Sequence, residues 1–171
     1  MSILEWIRGL WSIGMAYAVG LLLVRIFKIE DNQYQSGHLN GKLAGYVLKF
    51  RSITGVVDLD GGLDPSTVRK YLTWYRPYFI TDGDLPDLKE LWEVAEKAYS
   101  MTKEMRVLSH CGGGVNRASL MNGCILYLRG YRGSDIVKHI RAHRPGALTN
   151  SIFKHYLEGL VNDEAKFVRV K

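Results

Sequence analysis

A glycine-rich turn between an apolar run and a helical run is the feature that most constrains this chain. Residues 105–109 predict a short buried strand, and residues 117–128 predict a helix. The turn between them includes the sequence HCGGGVNR at residues 110–117. A strand, a glycine-rich loop and a helix N-terminus direct several backbone N–H groups at one point, and this arrangement binds phosphate. Residues 111–117 are therefore a candidate phosphate loop.

Two side chains of this loop supply chemistry that backbone amides lack. Cys111 is the first loop residue, where the amides, the helix N-terminus and a guanidinium favour its thiolate, the nucleophilic form. Arg117 closes the loop, and its planar guanidinium can bind two oxygens of a phosphoryl group. We predict that Cys111 is a nucleophile and that Arg117 holds the phosphoryl group. The other residues expected to bind substrate here are His110, Gly112, Gly113, Gly114, Val115 and Asn116.

Two other interpretations of the glycines were weighed against this one. A nucleotide-binding loop of the Walker type needs Gly-Lys-Ser/Thr after the glycines, and this sequence does not have it. A glycine turn around a buried structural cysteine stays an alternative. Against it, His110, the three glycines and the flanking strand and helix together are what a thiol-based phosphate loop requires.

The sequence TDGDLPDL at residues 81–88 offers carboxyl groups for proton transfer. Attack of a thiolate on a phosphate ester expels an alkoxide or phenoxide, which needs a proton. We predict that Asp82 is the acid, because it directly follows a predicted strand end, where parallel sheets place their active sites. Asp84 is the alternative, and Asp87 is expected to cap the next helix. All three could instead only cap and solvate a turn.

Three segments together resemble the dual-specificity members of the protein tyrosine phosphatase superfamily. They are HCGGGVNRAS, the upstream TDGDLPDL and the downstream HRPGALTN, and the resemblance covers about residues 34–160. The sequence YQSGHLN also resembles the opening strand of small bacterial members, some of which carry an N-terminal membrane anchor. The resemblance implies a phosphomonoesterase with a phosphocysteine intermediate on Cys111 and with Asp82 as acid and then base. It implies no metal and no other cofactor.

One position departs from the pattern of this family. The residue after the arginine is usually Ser or Thr, whose hydroxyl helps the thiolate to leave, but here it is Ala118, with Ser119 one place later. Breakdown of the phosphoenzyme is then expected to be slow, or the chain binds phosphorylated partners without turnover. Asn116 is associated with members that act on RNA 5′ phosphates, which leaves an RNA 5′ phosphatase as a third possibility.

Helices and strands alternate along one domain that we predict to span residues 33–171. Hydrophobic spacing predicts further helices at residues 43–50, 65–74, 88–101, 134–143 and 151–160. Their expected N-caps are Asp64, Asp87, Ser134 and either Asn150 or Ser151. Apolar runs predict strands at residues 53–59 and 78–81. This alternation implies an α/β fold with a mainly parallel central sheet flanked by helices on both faces.

The N-terminus differs from the rest of the chain because residues 9–24 contain no charged side chain. We predict an apolar anchor helix over residues 1–28, with membrane association through residues 3–27 and the catalytic domain facing the cytoplasm. The polar residues 28–33 are then a linker. The alternatives are a cleaved signal peptide and a helix packed on the catalytic domain.

Composition indicates the compartment and the partners. Two cysteines, Cys111 and Cys124, are too few for a disulfide framework, so we expect a reducing compartment. Cys124 is expected to be a small buried residue, with a resolving thiol as the alternative. The net charge of +6, from 23 basic and 17 acidic residues, attracts anions. We predict a phosphorylated protein or a phospholipid as substrate, and no nucleic acid, because the basic residues lack interleaved aromatic side chains.

Overall fold

A sheet of five strands is the centre of the part of the chain that the computed structural model describes, residues 25–39, 41–162 and 166–167. The strands are β1 (Ile26–Glu30), β2 (Gln33–Ser36), β3 (Ile53–Asp58), β4 (Trp74–Pro77) and β5 (Arg106–His110). Their spatial order is β1-β2-β5-β3-β4. Strand β1 is antiparallel to β2, and the other neighbouring strands are parallel. The sheet is therefore mixed, with parallel strands at its centre.

Helices cover both faces of the sheet, which explains why the middle residues of β3 and β5 are apolar on both faces. Side chains alternate between two hydrophobic clusters, so Val56 and Leu108 lie in one cluster and Val57 and Val107 in the other. The helices are α1 (Gly41–Phe50), α2 (Pro65–Val68), α3 (Leu88–Thr102), α4 (Arg117–Leu128), α5 (Gly133–His143) and α6 (Ser151–Glu158), with a 3-10 turn at Arg69–Tyr71. Helices α1 and α2 cover the first cluster, and α3 to α6 cover the second.

Helix α4 is enclosed on all sides. Every residue from Ala118 to Tyr127 is buried, because the helix packs against α3, α5 and α6 and against strands β2 and β5. A helix buried around its whole circumference belongs to the core of a domain. Its N-terminus, where the candidate phosphate loop ends, is therefore held in a fixed place.

Strand β4 lies between the helix and the strand that the sequence predicts in this region. The sequence predicts a helix over residues 65–74 and a strand over residues 78–81, but α2 ends at Val68 and β4 precedes the predicted strand. Trp74 packs against the hydrophobic cluster on one face of the sheet and Tyr75 against the cluster on the other face. This alternation is the period of a strand and overrides the helical spacing. Pro77 is compatible with β4 because that strand lies at the sheet edge.

The predicted N-caps are mostly confirmed. Asp64, Asp87 and Asn150 each accept backbone N–H groups of the helix that follows them. Helix α5, however, begins at Gly133, so Ser134 lies inside its first turn and is not the cap. The remaining helix boundaries agree with the prediction to within a few residues, which is the usual scatter of helix ends.

The predicted membrane location is corrected by the structure. Among the described residues, no helix combines the length and the apolar character needed to cross a bilayer. The end of the predicted segment 3–27 and most of the predicted linker 28–33 belong instead to β1 and β2, and Ile29 is fully buried in the core. The remainder of the predicted anchor, residues 1–24, lies outside the described residues.

Candidate active site

The candidate phosphate loop packs tightly against the end of β2. Gly114 has a φ of +58°, and a Cβ on it would lie 2.3 Å from the backbone nitrogen of Gly37. A Cβ on Gly37 would in turn lie 3.1 Å from the backbone of Gly113. The N–H of His38 donates to the carbonyl oxygen of Gly112 at 2.8 Å. Glycine is thus required at 114, and at 37 a Cβ would make a tight contact with the loop backbone.

A buried polar layer supports the loop from behind. The side-chain amide of Gln35 donates to the carbonyl oxygen of Gly114 at 3.0 Å and to Oγ of Ser119 at 2.7 Å. Ser119 donates to the carbonyl oxygen of Val115 at 2.7 Å, and Asn122 donates to Oε1 of Gln35 at 3.1 Å. The sequence prediction missed this layer. Its signal is a short strand, QYQS, made mostly of polar residues, together with Ser119 and Asn122 inside an otherwise apolar helix.

His110 fixes the start of the loop with both ring nitrogens. Its Nε2 lies 3.1 Å from the backbone nitrogen of Leu39 and can only accept that N–H. The ring proton is therefore on Nδ1, which donates to Oδ1 of Asp58 at 3.2 Å. His110 is fully buried, so the structure places this predicted substrate-binding residue behind the loop.

Asp58, at the end of β3, is a buried carboxylate that the sequence prediction missed. Besides His110, it accepts the hydroxyl of Tyr75 at 2.8 Å and the backbone N–H groups of Gly61 and Leu63. Burial alone raises the pKa of Asp58, but the hydrogen bonds from His110 and Tyr75 outweigh it and hold that pKa at about 2. Asp58 is therefore ionised at neutral pH and holds the ring of His110 in place.

Asp58, Asp60 and His110 are also close enough together to be considered as metal ligands, because one atom from each lies within 4.8 Å of the others. Their hydrogen bonds argue against this role. Nδ1 of His110 carries the proton that it donates to Asp58, and Oδ1 of Asp60 accepts the N–H of Gly62 at 3.0 Å. The three side chains form a hydrogen-bonded support for the loop.

Cys111 and Arg117 lie at the two ends of the loop. The free thiol of Cys111 is only 2% exposed. Nη1 of Arg117 donates to the carbonyl oxygen of Ile80 at 3.3 Å, and Nη2 lies 4.0 Å from Oδ2 of Asp60. Nε of Arg117 is buried and has no hydrogen-bond acceptor among the described residues. A buried donor of this kind needs an acceptor, and an oxyanion in the loop would supply it.

Asp82 is tied to the loop by two asparagine side chains. The amide of Asn116 donates to Oδ2 of Asp82 at 3.3 Å, and the amide of Asn150 lies 3.5 Å from Oδ1. Oδ1 of Asn116 accepts the backbone N–H of Asn150 at 3.0 Å, which fixes the orientation of the Asn116 amide. Asp82 and Asp84 are both exposed on the same turn, and Asp82 is the one that is hydrogen-bonded to the residue beside Arg117.

Cys124 lies in the core of the domain. It is fully buried in α4, and burial raises the pKa of its thiol. It follows Arg117 by seven residues, which corresponds to about 10 Å along the helix axis. This environment fits the predicted structural role and offers the resolving-thiol alternative no support.

Comparison with known proteins gives a partial match in sequence. The family model described as cyclin-dependent kinase inhibitor 3 matches residues 61–137. Cyclin-dependent kinase inhibitor 3 of Rattus norvegicus is 30% identical over a region that covers 48% of this chain and 50% of the rat protein. The chain therefore spans about half the length of this relative. The residues that the family model matches include Asp82 and the whole candidate phosphate loop.

Solved structures match a larger part of the chain. TpbA of P. aeruginosa superimposes with a TM-score of 0.68 at 17% identity, covering 84% of this chain and 89% of TpbA. Human DUSP28 superimposes with a TM-score of 0.64 at 16% identity, covering 78% of this chain and 90% of DUSP28. The described residues thus have the α/β fold of the dual-specificity phosphatases, as the resemblance predicts. The narrower assignment to a small bacterial type stays a prediction.

Replacing Tyr75 with Phe should move acid unfolding to a higher pH. The ordinary pKa of an aspartate is about 3.9. With a folded pKa of about 2, Asp58 stabilises the fold above about pH 4, and this stabilisation is lost as the pH falls towards 2. Removal of the Tyr75 hydroxyl takes away a hydrogen bond to Asp58, so the pKa of Asp58 in the folded protein rises towards its value in the unfolded chain. Circular dichroism during acid titration measures the midpoint, with Tyr71→Phe as the control. If Tyr75→Phe and Tyr71→Phe unfolded at the same midpoint pH, this role of Tyr75 would be contradicted.

Proposed function

We propose that the protein is a cysteine-dependent phosphomonoesterase that acts through a phosphocysteine intermediate on Cys111. The observation that carries this proposal is the buried, unpaired Nε of Arg117 at the end of a glycine loop that begins with a buried thiol. Backbone amides and a guanidinium at one helix N-terminus fit a phosphoryl group. Similarity to cyclin-dependent kinase inhibitor 3 and the fold support the same class of enzyme.

The reaction has two steps in this proposal. The thiolate of Cys111 forms a bond to phosphorus while the bond to the ester oxygen breaks, and Asp82 gives that oxygen a proton. In the second step water attacks phosphorus, Asp82 accepts a proton from the water, and the bond to sulfur breaks. Arg117 and the loop amides stabilise the charge on the oxygens in both steps.

The contacts of Asn116 support the choice of Asp82 as the acid. Asn116 donates to the carboxylate of Asp82 and precedes Arg117 directly, so one residue links the acid to the phosphoryl-binding group. This positioning role serves any phosphate ester. The alternative of an RNA 5′ phosphatase, which depends on Asn116 alone, gains no separate support from these contacts.

The substrate that we propose is a phosphorylated protein or a phospholipid, as the net charge of +6 suggests. Nucleic acid is not a proposed partner. The basic residues lie across several elements, where they can attract an anionic substrate.

A protein that binds phosphate but turns it over slowly is the second candidate, favoured by the surroundings of Ala118. Ala118 is fully buried and has no hydroxyl for the departing thiolate. The hydroxyl of Ser119 donates to the carbonyl oxygen of Val115 and accepts from Gln35, so it is already engaged with the loop backbone. This candidate keeps the phosphate site and predicts that the second step limits the rate.

Replacing Cys111 with Ser should lower the turnover of an aryl phosphate by at least about a thousandfold, because the nucleophile of the first step is lost. Steady-state release of the phenol measures this. Cys124→Ala is the matched control, since that thiol is buried in the core of α4, and it should keep most of the activity. Turnover that persists in Cys111→Ser would contradict the proposed mechanism.

Replacing Asp82 with Asn should slow the hydrolysis of esters with poor leaving groups by about a hundredfold, because general acids contribute about that much. Esters of acidic phenols need less protonation and should be affected less. Asp84→Asn, on the same exposed turn, is the control. Rates measured over a series of leaving groups distinguish the two carboxylates, and a larger effect for Asp84→Asn would reverse the assignment.

Replacing Ala118 with Ser should speed the breakdown of the phosphoenzyme. Stopped-flow traces of the native chain are expected to show a fast release of phenol followed by a slow steady phase, since the second step limits the rate. The variant should have a faster steady phase and a smaller initial release. A steady phase that does not change in Ala118→Ser would exclude this residue as the cause of slow turnover.

A further inference from the structure

Phe79 is an exposed aromatic side chain on the segment 78–82. This segment contacts Arg117 through Ile80 and ends with Asp82. The side chain of Phe79 is 68% exposed, although its neighbours Tyr78 and Ile80 are buried. The carbonyl oxygen of Ile80 accepts Nη1 of Arg117, and Asp82 follows two residues later. An exposed phenyl ring gains free energy when it is covered, so its position beside a binding site is informative.

The ring of Phe79 rests against Gly61, on a second segment that reaches the loop. A Cβ on Gly61 would lie 2.9 Å from Cε1 of Phe79, so the ring packs on bare glycine backbone. The preceding residue, Asp60, has its Oδ2 4.0 Å from Nη2 of Arg117 and 3.1 Å from a Cβ built on Gly112. Phe79 and Gly61 are therefore each next in sequence to a residue that contacts Arg117.

We infer that Phe79 is a specificity-determining residue that selects phosphate esters of phenols, of which phosphotyrosine in a protein is the natural example. This inference rests on the proposed function. Once a phosphoryl group is bound at Arg117, the group attached to its ester oxygen lies beside the loop, within reach of the Phe79 ring. Phe79 then contacts that group, and Gly61 keeps the ring in position.

The chemistry of the three candidate ester groups favours the phenol. In phosphotyrosine an aromatic ring is bonded directly to the ester oxygen, so it can pack against Phe79. Phosphoserine and phosphothreonine carry only one carbon there before the peptide backbone. An inositol ring carries hydroxyl groups, which lose water without finding a hydrogen-bond partner on a phenyl ring.

The test compares three substrates with the full chain and its variants. They are a phosphotyrosine peptide, the same peptide with phosphothreonine, and an inositol phosphate as the lipid headgroup. Phe79→Ala should lower kcat/KM for the phosphotyrosine peptide by about fivefold, the usual effect of an aromatic pair. The phosphothreonine and inositol substrates should change by less than about twofold.

Phe50→Ala is the matched control for a general effect of losing an exposed phenyl group. Phe50 is 72% exposed, and it precedes β3, whose opposite end lies beside the phosphate loop. This variant should change none of the three rates. Equal losses on both peptides in Phe79→Ala, or a loss confined to the inositol phosphate, would overturn the inference. The second result would identify a lipid headgroup as the selected ester.

Two further measurements separate this inference from the proposed function. Turnover that survives in Cys111→Ser overturns the mechanism itself. If Cys111→Ser loses turnover as expected but Phe79→Ala keeps the native selectivity among the three substrates, only the role of Phe79 is overturned. Equilibrium binding of both peptides to Cys111→Ser, with and without Phe79→Ala, gives the answer even if turnover is slow. Phe79→Ala should weaken binding of the phosphotyrosine peptide alone, and equal weakening of both peptides would contradict the inference.

Discussion

The close contact between the end of β2 and the phosphate loop is the constraint on which the site depends. It requires glycine at 114, leaves little room for a side chain at 37, and lets protein donors reach the loop carbonyl groups. The carbonyl oxygen of Gly112 accepts His38 N–H, that of Gly114 accepts the side chains of Gln35 and Arg144, and that of Val115 accepts Leu148 N–H and Ser119. Because the carbonyl groups are bound to the body of the protein, the loop amides after Cys111 can bind an anion. This is preorganisation, which places donors before the charge arrives.

Charge around the loop follows from the same packing. His110 is neutral because one nitrogen accepts Leu39 N–H and the other donates to Asp58. The negative charge of Asp58 is compensated by five hydrogen bonds from surrounding groups, including Tyr75. Arg117 and the N-terminus of α4 are then the positive groups closest to the bound phosphoryl group in our account. The structure therefore places the hydrogen-bonded carboxylate of Asp58 behind the loop, whereas Nε of Arg117 has no acceptor among the described residues.

Local patterns predicted well those parts of the site that depend on short spacing. Cys111 and Arg117 lie on one loop, and Asp87 and Asn150 cap helices that begin beside them, so neighbouring residues determine their places. Strand β4 was not predictable in the same way, because its pairing with β3 depends on residues about twenty positions away. Gln35 and Asp58 act through contacts with residues more than fifty positions distant, and spacing along the chain does not reveal such contacts. Ile26 and Phe27 extend an apolar run in sequence, yet they pair with β2 as part of an edge strand.

The most direct test of this account is to look for a phosphoryl group on Cys111 during turnover. The full chain is mixed with an aryl phosphate, quenched within one turnover, and digested for mass spectrometry of the peptide that contains residues 110–117. We expect a phosphorylated Cys111 in the native chain, with more of it than in Ala118→Ser. Product formation without any phosphoryl group on Cys111 would contradict this expectation.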